Sequence, residues 1–187
     1  MREPPRRDSK AILIWIVPIT LAGLLGWWYW SIHPDPDMPD GVQEVAVRSI
    51  QGGDTMEVAA LSAGRVIATT DMVRVQLLGI DAPDMGGGSG GGGPQCWAEK
   101  ARAELGELAP QGSRIWVIGD VQAVDDKGRR LLYAWTRDGV FVNARLAESG
   151  SARLATAAPK PKYEMEISKK VNEARQARRG LWGACAN

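Results

Sequence analysis

The residues from 42 to 187 predict an α+β fold, a five-stranded barrel of the OB type with three α-helices on it, preceded by one N-terminal transmembrane helix. Two observations lead to the barrel. Five short apolar, β-branched runs are bounded by Gly/Asp turns, and three stretches repeat apolar residues at the three-to-four spacing of a helix. A chain of 187 residues, 44% hydrophobic, buries one proper core, and closing five strands into a barrel removes their exposed edges.

In chain order, residues 1–10, MREPPRRDSK, hold four basic and two acidic side chains, and residues 11–30, AILIWIVPITLAGLLGWWYW, hold no charge. At about 1.5 Å per residue that run spans roughly 30 Å, the hydrocarbon thickness of a bilayer. It predicts a single-pass anchor in the inner (cytoplasmic) membrane, with the basic tail in the cytoplasm and the later residues periplasmic or otherwise extracytoplasmic. Trp27, Trp28, Tyr29 and Trp30 form an aromatic belt at the far interface. A cleaved signal peptide is the alternative, but Ala-Gly-Leu-Leu-Gly-Trp-Trp matches a small-residue cleavage site poorly. Residues 31–41, rich in Pro and Asp, read as an extended linker.

Residues 42–50 and 55–61 predict a hairpin turning at Gly52-Gly53, and residues 73–80 predict a third strand buried on both faces. Residues 86–93, GGGSGGGG, form a flexible loop reaching about 15 Å, as readily an engineered linker as a natural low-complexity loop. Residues 94–108 predict a helix with Trp97, Ala101, Leu105 and Leu108 on one face. Strands at 113–121 and 130–136 follow, joined by Asp125-Asp126-Lys127-Gly128-Arg129. A short helix at 142–149 stops at Gly150, and a longer one at 163–179 turns Tyr163, Ile167, Val171 and Ala174 inward and stops at Gly180.

The composition excludes several chemistries. His33 is the only histidine and lies in the linker, so the domain lacks a Ser-His-Asp triad, a two-histidine zinc motif and a histidine general base. The net charge is +1 but uneven: residues 150–187 hold eight Lys or Arg against three Glu, and residues 40–149 hold eleven against fifteen acidic groups. A basic end beside acidic turns suits an anion held near a cation, and a solvated charged helix gives the same pattern. Three carboxylates, Asp54, Asp81 and Asp84, stand where strands stop, two of them flanking the rigid Ala82-Pro83 corner. Carboxylates on stiff corners suit a hard cation.

The order of these pieces is that of a known family. The GDT turn (53–55), the IDAP corner (80–83), a helix starting near a Cys, the D-x-x-G-R turn (125–129) followed by Leu131-Leu132-Tyr133, Val142-Asn143 at a helix start, and EARQARRGLWG (173–183) together resemble staphylococcal nuclease, the thermonuclease family, over residues 41–183. The resemblance implies an OB-type barrel with three helices and calcium-dependent hydrolysis of DNA and RNA. It implies that Asp54 and Asp81 bind Ca²⁺ with the carbonyl of Ala82, that Asp84 stands in for a longer glutamate holding the attacking water, and that Arg129 clamps the phosphate. The chain departs from the family where Gln76 replaces a second clamping arginine and Gly52 replaces an aspartate. Arg74, two residues before Gln76 on the same strand face, is the candidate to restore the missing charge.

These readings combine into an anchored, monomeric, extracytoplasmic nuclease whose Lys162, Lys169 and Lys170 follow the nucleic-acid backbone. A nuclease-like barrel that binds nucleic acid or a protein without cutting is the rival, and a purely structural tethered module is a third. Cys96 and Cys185, the only cysteines, most simply pair in an oxidising compartment, with two unpaired thiols as the alternative.

Overall fold

Apolar, β-branched runs bounded by turns make Gln43–Ile50 strand β1 and Thr55–Ala60 strand β2 in the computed structural model, which describes residues 38–86, 92–155 and 161–185. Met72–Leu77 (β3), Arg114–Val124 (β5) and Arg130–Trp135 (β6) complete a closed barrel in the order β1-β2-β3-β6-β5. Its pairs are antiparallel except β3 with β6, where Val75, Gln76 and Leu77 run parallel to Arg130, Leu131 and Leu132. Val45, Val47, Met56, Val58, Val75, Ile115 and Val117 are fully buried within the domain.

The third strand departs from the sequence reading. Met72 and Arg74 are exposed, and the pairing stops at Leu77 because Gly79 takes a left-handed φ of +77° that turns the chain out of the barrel. Ile80–Asp81 (β4) then pairs with Arg153–Leu154 (β7), which sets Asp81 opposite Arg153. Asn143 secures this break. Fully buried, it accepts the Ala134 N–H at 3.0 Å and donates to the Leu78 carbonyl at 2.9 Å, a carbonyl outside the strand ladders.

Three helices cover the barrel, α1 (Ala98–Leu108), α2 (Val142–Ser149) and α3 (Glu164–Gln176), followed by the single turn α4 (Leu181–Ala184). Ala101 and Leu105 of α1 and Ile167, Val171 and Ala174 of α3 are buried, as their spacing predicts. Helix α1 starts four residues later than predicted because Trp97 is left-handed at φ 73°, and α3 ends at Gln176, two residues before Arg178 turns left-handed at φ 51°. Tyr133, Trp135, Phe141 and Tyr163 form one ring cluster, with Tyr133 edge-on to Tyr163 at 4.7 Å and Trp135 stacked on Phe141 at 4.6 Å.

Cys96 and Cys185 are bonded, 89 residues apart in sequence with Cα atoms 5.8 Å apart, so the start of α1 is tied to the end of α4. The anchor over residues 11–30 lies outside the described residues. Among the described residues no helix is long and apolar enough to cross a membrane.

Candidate functional site

The site begins at Gly53, where the β1–β2 turn packs against the corner after β4 and against α1. A Cβ on Gly53 would stand 2.6 Å from Ala101 Cβ and 2.7 Å from Ala82 Cβ, closer than carbon atoms tolerate, so the absence of a side chain is what lets the two corners meet. Asp54 follows at 8% exposure. Its Oδ1 accepts the Thr55 hydroxyl at 2.9 Å, and its Oδ2 accepts the Ala82 N–H at 2.9 Å. The second bond ties the turn that carries Asp54 to the corner that carries Asp81, Ala82 and Asp84.

The three carboxylates act on one another. Loss of water around Asp81, then the negative charges of Asp54 and Asp84, raise its pKa, while Arg153 opposes them. The sign follows: the folded state holds this proton more tightly than the unfolded chain, so stability falls as pH rises from the usual 3.8 through the raised value and stays lower above it. A bound cation relieves that opposition.

Asp84 itself is exposed, but its backbone is fixed by Gln95, which receives the Asp84 N–H on Oε1 at 3.1 Å and donates its own N–H to the Asp84 carbonyl at 2.9 Å. Gln95 thus closes the base of the glycine run beside Asp84. No sequence pattern pointed to it, since the bond joins residues 11 apart across that run.

On the other side, Asp125 braces Arg129. Oδ2 accepts Arg129 Nε at 2.6 Å, and Oδ1 accepts the backbone N–H groups of Arg129 and Lys127 at 2.8 and 3.0 Å. Burial pushes the Asp125 carboxyl up, but these bonds and the guanidinium charge outweigh it and hold it below the usual range. Arg129 Nη1 in turn donates to Gln76 Oε1 at 2.5 Å and reaches Thr55 Oγ1 at 3.5 Å. Because a guanidinium has no acceptor, the Gln76 oxygen must be the atom that faces it. Thr55 Oγ1 lies 2.9 Å from both Gln76 Oε1 and Asp54 Oδ1. A continuous chain of contacts therefore runs from Asp125 through Arg129, Gln76 and Thr55 to Asp54, in which the single Thr55 hydroxyl proton bonds one of its two acceptors at a time.

Gln76, which from sequence only replaces a clamping arginine, is here an acceptor that orients Arg129. Arg74, the candidate replacement, has its Nε 3.4 Å from Glu57 Oε1 with 70% of its side chain exposed, so Glu57 answers its charge. Gln76→Arg is expected to lower the melting temperature, since it removes a charge-assisted bond of about 1.5–3 kcal/mol and brings two guanidinium groups together. Thermal unfolding with parallel rates checks this, and a large gain in rate would show an empty clamp instead.

A cavity of about 240 Å³ opens beside this chain, lined by Gln76, Asp81, Asp120, Asp125, Arg129 and Leu131 among others. The family model for staphylococcal nuclease homologues matches residues 74–184. The chain belongs to this family. The match takes in Gln76, Asp81, Ala82, Asp84 and Arg129, while Asp54 and its turn precede it. No curated protein matches the chain.

In this nuclease homologue no three His, Cys, Asp or Glu side chains among the described residues are grouped so as to hold a metal ion by themselves. The donors at the two corners are all oxygen, the carboxylates of Asp54 and Asp81 and the neighbouring backbone. That chemistry fits a hard dication such as Ca²⁺, which completes its shell with water and substrate oxygens, and does not fit a soft metal. The three lysines named from sequence are placed differently from one another. Lys170 Nζ is paired with Glu148 at 2.8 Å and Glu173 at 3.7 Å, joining α2 to α3. Lys162 is exposed, with its Nζ 5.1 Å from the centre of the Tyr163 ring, and Lys169 is exposed on α3.

Proposed function

We propose that this nuclease homologue hydrolyses phosphodiester bonds of DNA or RNA with Ca²⁺ at Asp54 and Asp81, from a domain anchored by residues 11–30 on the outer side of the cytoplasmic membrane. The observation that supports the proposal is the chain of contacts from Arg129 through Gln76 and Thr55 to Asp54, which keeps a guanidinium and a carboxylate within one connected frame beside a cavity. When bound, the dication supplies Lewis-acid polarisation of a phosphoryl oxygen. Asp54 and Asp81, with the Ala82 carbonyl, would hold it. Asp84, fixed through its backbone by Gln95, accepts a hydrogen bond from the attacking water and takes its proton. Arg129 neutralises charge that develops on the phosphoryl oxygens, and single donors in such positions are worth about 10²–10³ in rate.

One observation favours binding without cutting. Nε and Nη1 of Arg129 are already taken by Asp125 and Gln76, which leaves Nη2 for a phosphate. Incubation of the purified protein with single-stranded DNA, with and without Ca²⁺, separates the readings: metal-dependent cleavage supports the enzyme, and salt-sensitive binding without cleavage supports the rival. The metal site has its own readout. In chelator near neutral pH, Asp81→Asn is expected to melt above the wild type, because it removes a carboxylate whose ionisation opposes folding. On adding Ca²⁺ the wild type gains stability and the variant does not. Equal calcium responses in the two proteins would exclude Asp81 as a ligand.

A further inference from the structure

Two arginines share one indole ring next to the site. The guanidinium carbons of Arg153 and Arg175 lie 5.6 and 5.7 Å from the centre of the Trp182 ring. Both arginines are exposed, and among the described residues neither is in an ion pair. The indole restrains both guanidinium groups and so lowers the entropy they lose on binding an anion. Arg178, two residues past the end of α3, is exposed and likewise unpaired among the described residues.

Position gives this pair its meaning. Arg153 stands opposite Asp81 in the β4–β7 ladder, and its charge reaches the Asp81 carboxyl. The wall of the cavity that Asp81 and Arg129 line also carries Asp120, Asp125 and Asp126. A polyanion that has one phosphate at Arg129 is repelled along that wall and attracted along Arg153 and Arg175.

We propose that Arg153 and Arg175, arrayed on Trp182, form the surface that takes the sugar–phosphate backbone of single-stranded nucleic acid beyond the Asp81 edge of the site. This rests on reading the domain as one that acts on nucleic acid. The surface sets the direction in which the strand leaves, and it holds substrate independently of bond cleavage. It is made by β7, α3 and α4 together, so it depends on the turn that follows α3 being in place.

The test is binding of a fluorescent single-stranded oligonucleotide to the full chain in chelator, by anisotropy, between about 50 and 200 mM salt. Arg175→Ala is expected to weaken binding several-fold and to lower the slope of log affinity against log salt by about 0.7–1. Arg175→Lys, which keeps the charge, restores most of the slope. A slope unchanged in Arg175→Ala overturns the proposal, as does an equal loss in Arg175→Lys with a lowered melting temperature, which makes the arginine a packing element only. Displacement of the oligonucleotide by poly-glutamate at matched charge also overturns the assignment to nucleic acid. Because chelator prevents cleavage, this result is independent of the calcium assay, and absent cleavage with intact binding removes the enzyme reading alone.

Discussion

Asp54→Ala is expected to abolish the proposed calcium-dependent cleavage and to destabilise the fold at once. Partners that only orient metal ligands are worth about 10–100-fold in affinity or activity, so removal of the ligand itself should exceed a hundredfold. The structural effect has a separate origin. Asp54 is 8% exposed and accepts the Ala82 N–H and the Thr55 hydroxyl, and truncation leaves that buried N–H unpaired. An orphaned donor costs about 1–3 kcal/mol. Asp54→Asn divides the two effects, because its carbonyl oxygen still accepts from Ala82 while the charge is gone. It should unfold within about 1 kcal/mol of the wild type and show no calcium response. Urea unfolding alongside a cleavage assay measures both, and a calcium-responsive Asp54→Asn protein would remove this residue from the metal site.

Reduction of the Cys96–Cys185 bond is expected to have the largest effect on stability. The bridge closes a loop of 89 residues, which the chain-entropy treatment values at about 4–5 kcal/mol, close to the whole stability of many small domains. Urea unfolding with and without reductant should show the unfolding free energy falling by that amount and the midpoint falling with it, and Cys185→Ser should reproduce the reduced curve. The loss should begin at the C-terminal end, where α4 is only four residues long and ends beside the bridge. A midpoint insensitive to reductant would show that packing of Leu181, 2% exposed, is enough to hold this segment.

Much of the architecture was legible before the structure. The strands followed from apolar, β-branched runs, the turns from Gly-Gly-Asp and Asp-Gly pairs, and the inward faces of α1 and α3 from residues four apart, because those signals are local. The misplaced boundaries also have local causes of a kind that sequence does not announce. Trp97 and Arg178 adopt left-handed backbone without being glycine, and Gly79 ends β3 inside an apolar run that reads as continuous. The candidate carboxylates were legible as corner residues. Their supports were not: Gln76 meets Arg129 across 53 residues, and Gln95 meets Asp84 across a run with no pattern. A hydrogen-bond partner on another element leaves no trace in spacing. Gln76 therefore read as a lost charge when its oxygen is what orients the guanidinium.

The loop closed by the sulfur bridge starts at Cys96, so the glycine run lies outside it. A polypeptide opened between residues 87 and 91 falls into two pieces with no covalent link, one carrying β1 to β4 and the other carrying β5, β6 and the helices. The seams of β1 with β5, of β3 with β6 and of β4 with β7, and the packing around them, rejoin these pieces. Co-expressed halves would then assemble as a concentration-dependent split protein, with Asp54, Asp81 and Asp84 on one fragment and Arg129 on the other, so that the proposed phosphodiester cleavage would report their reunion.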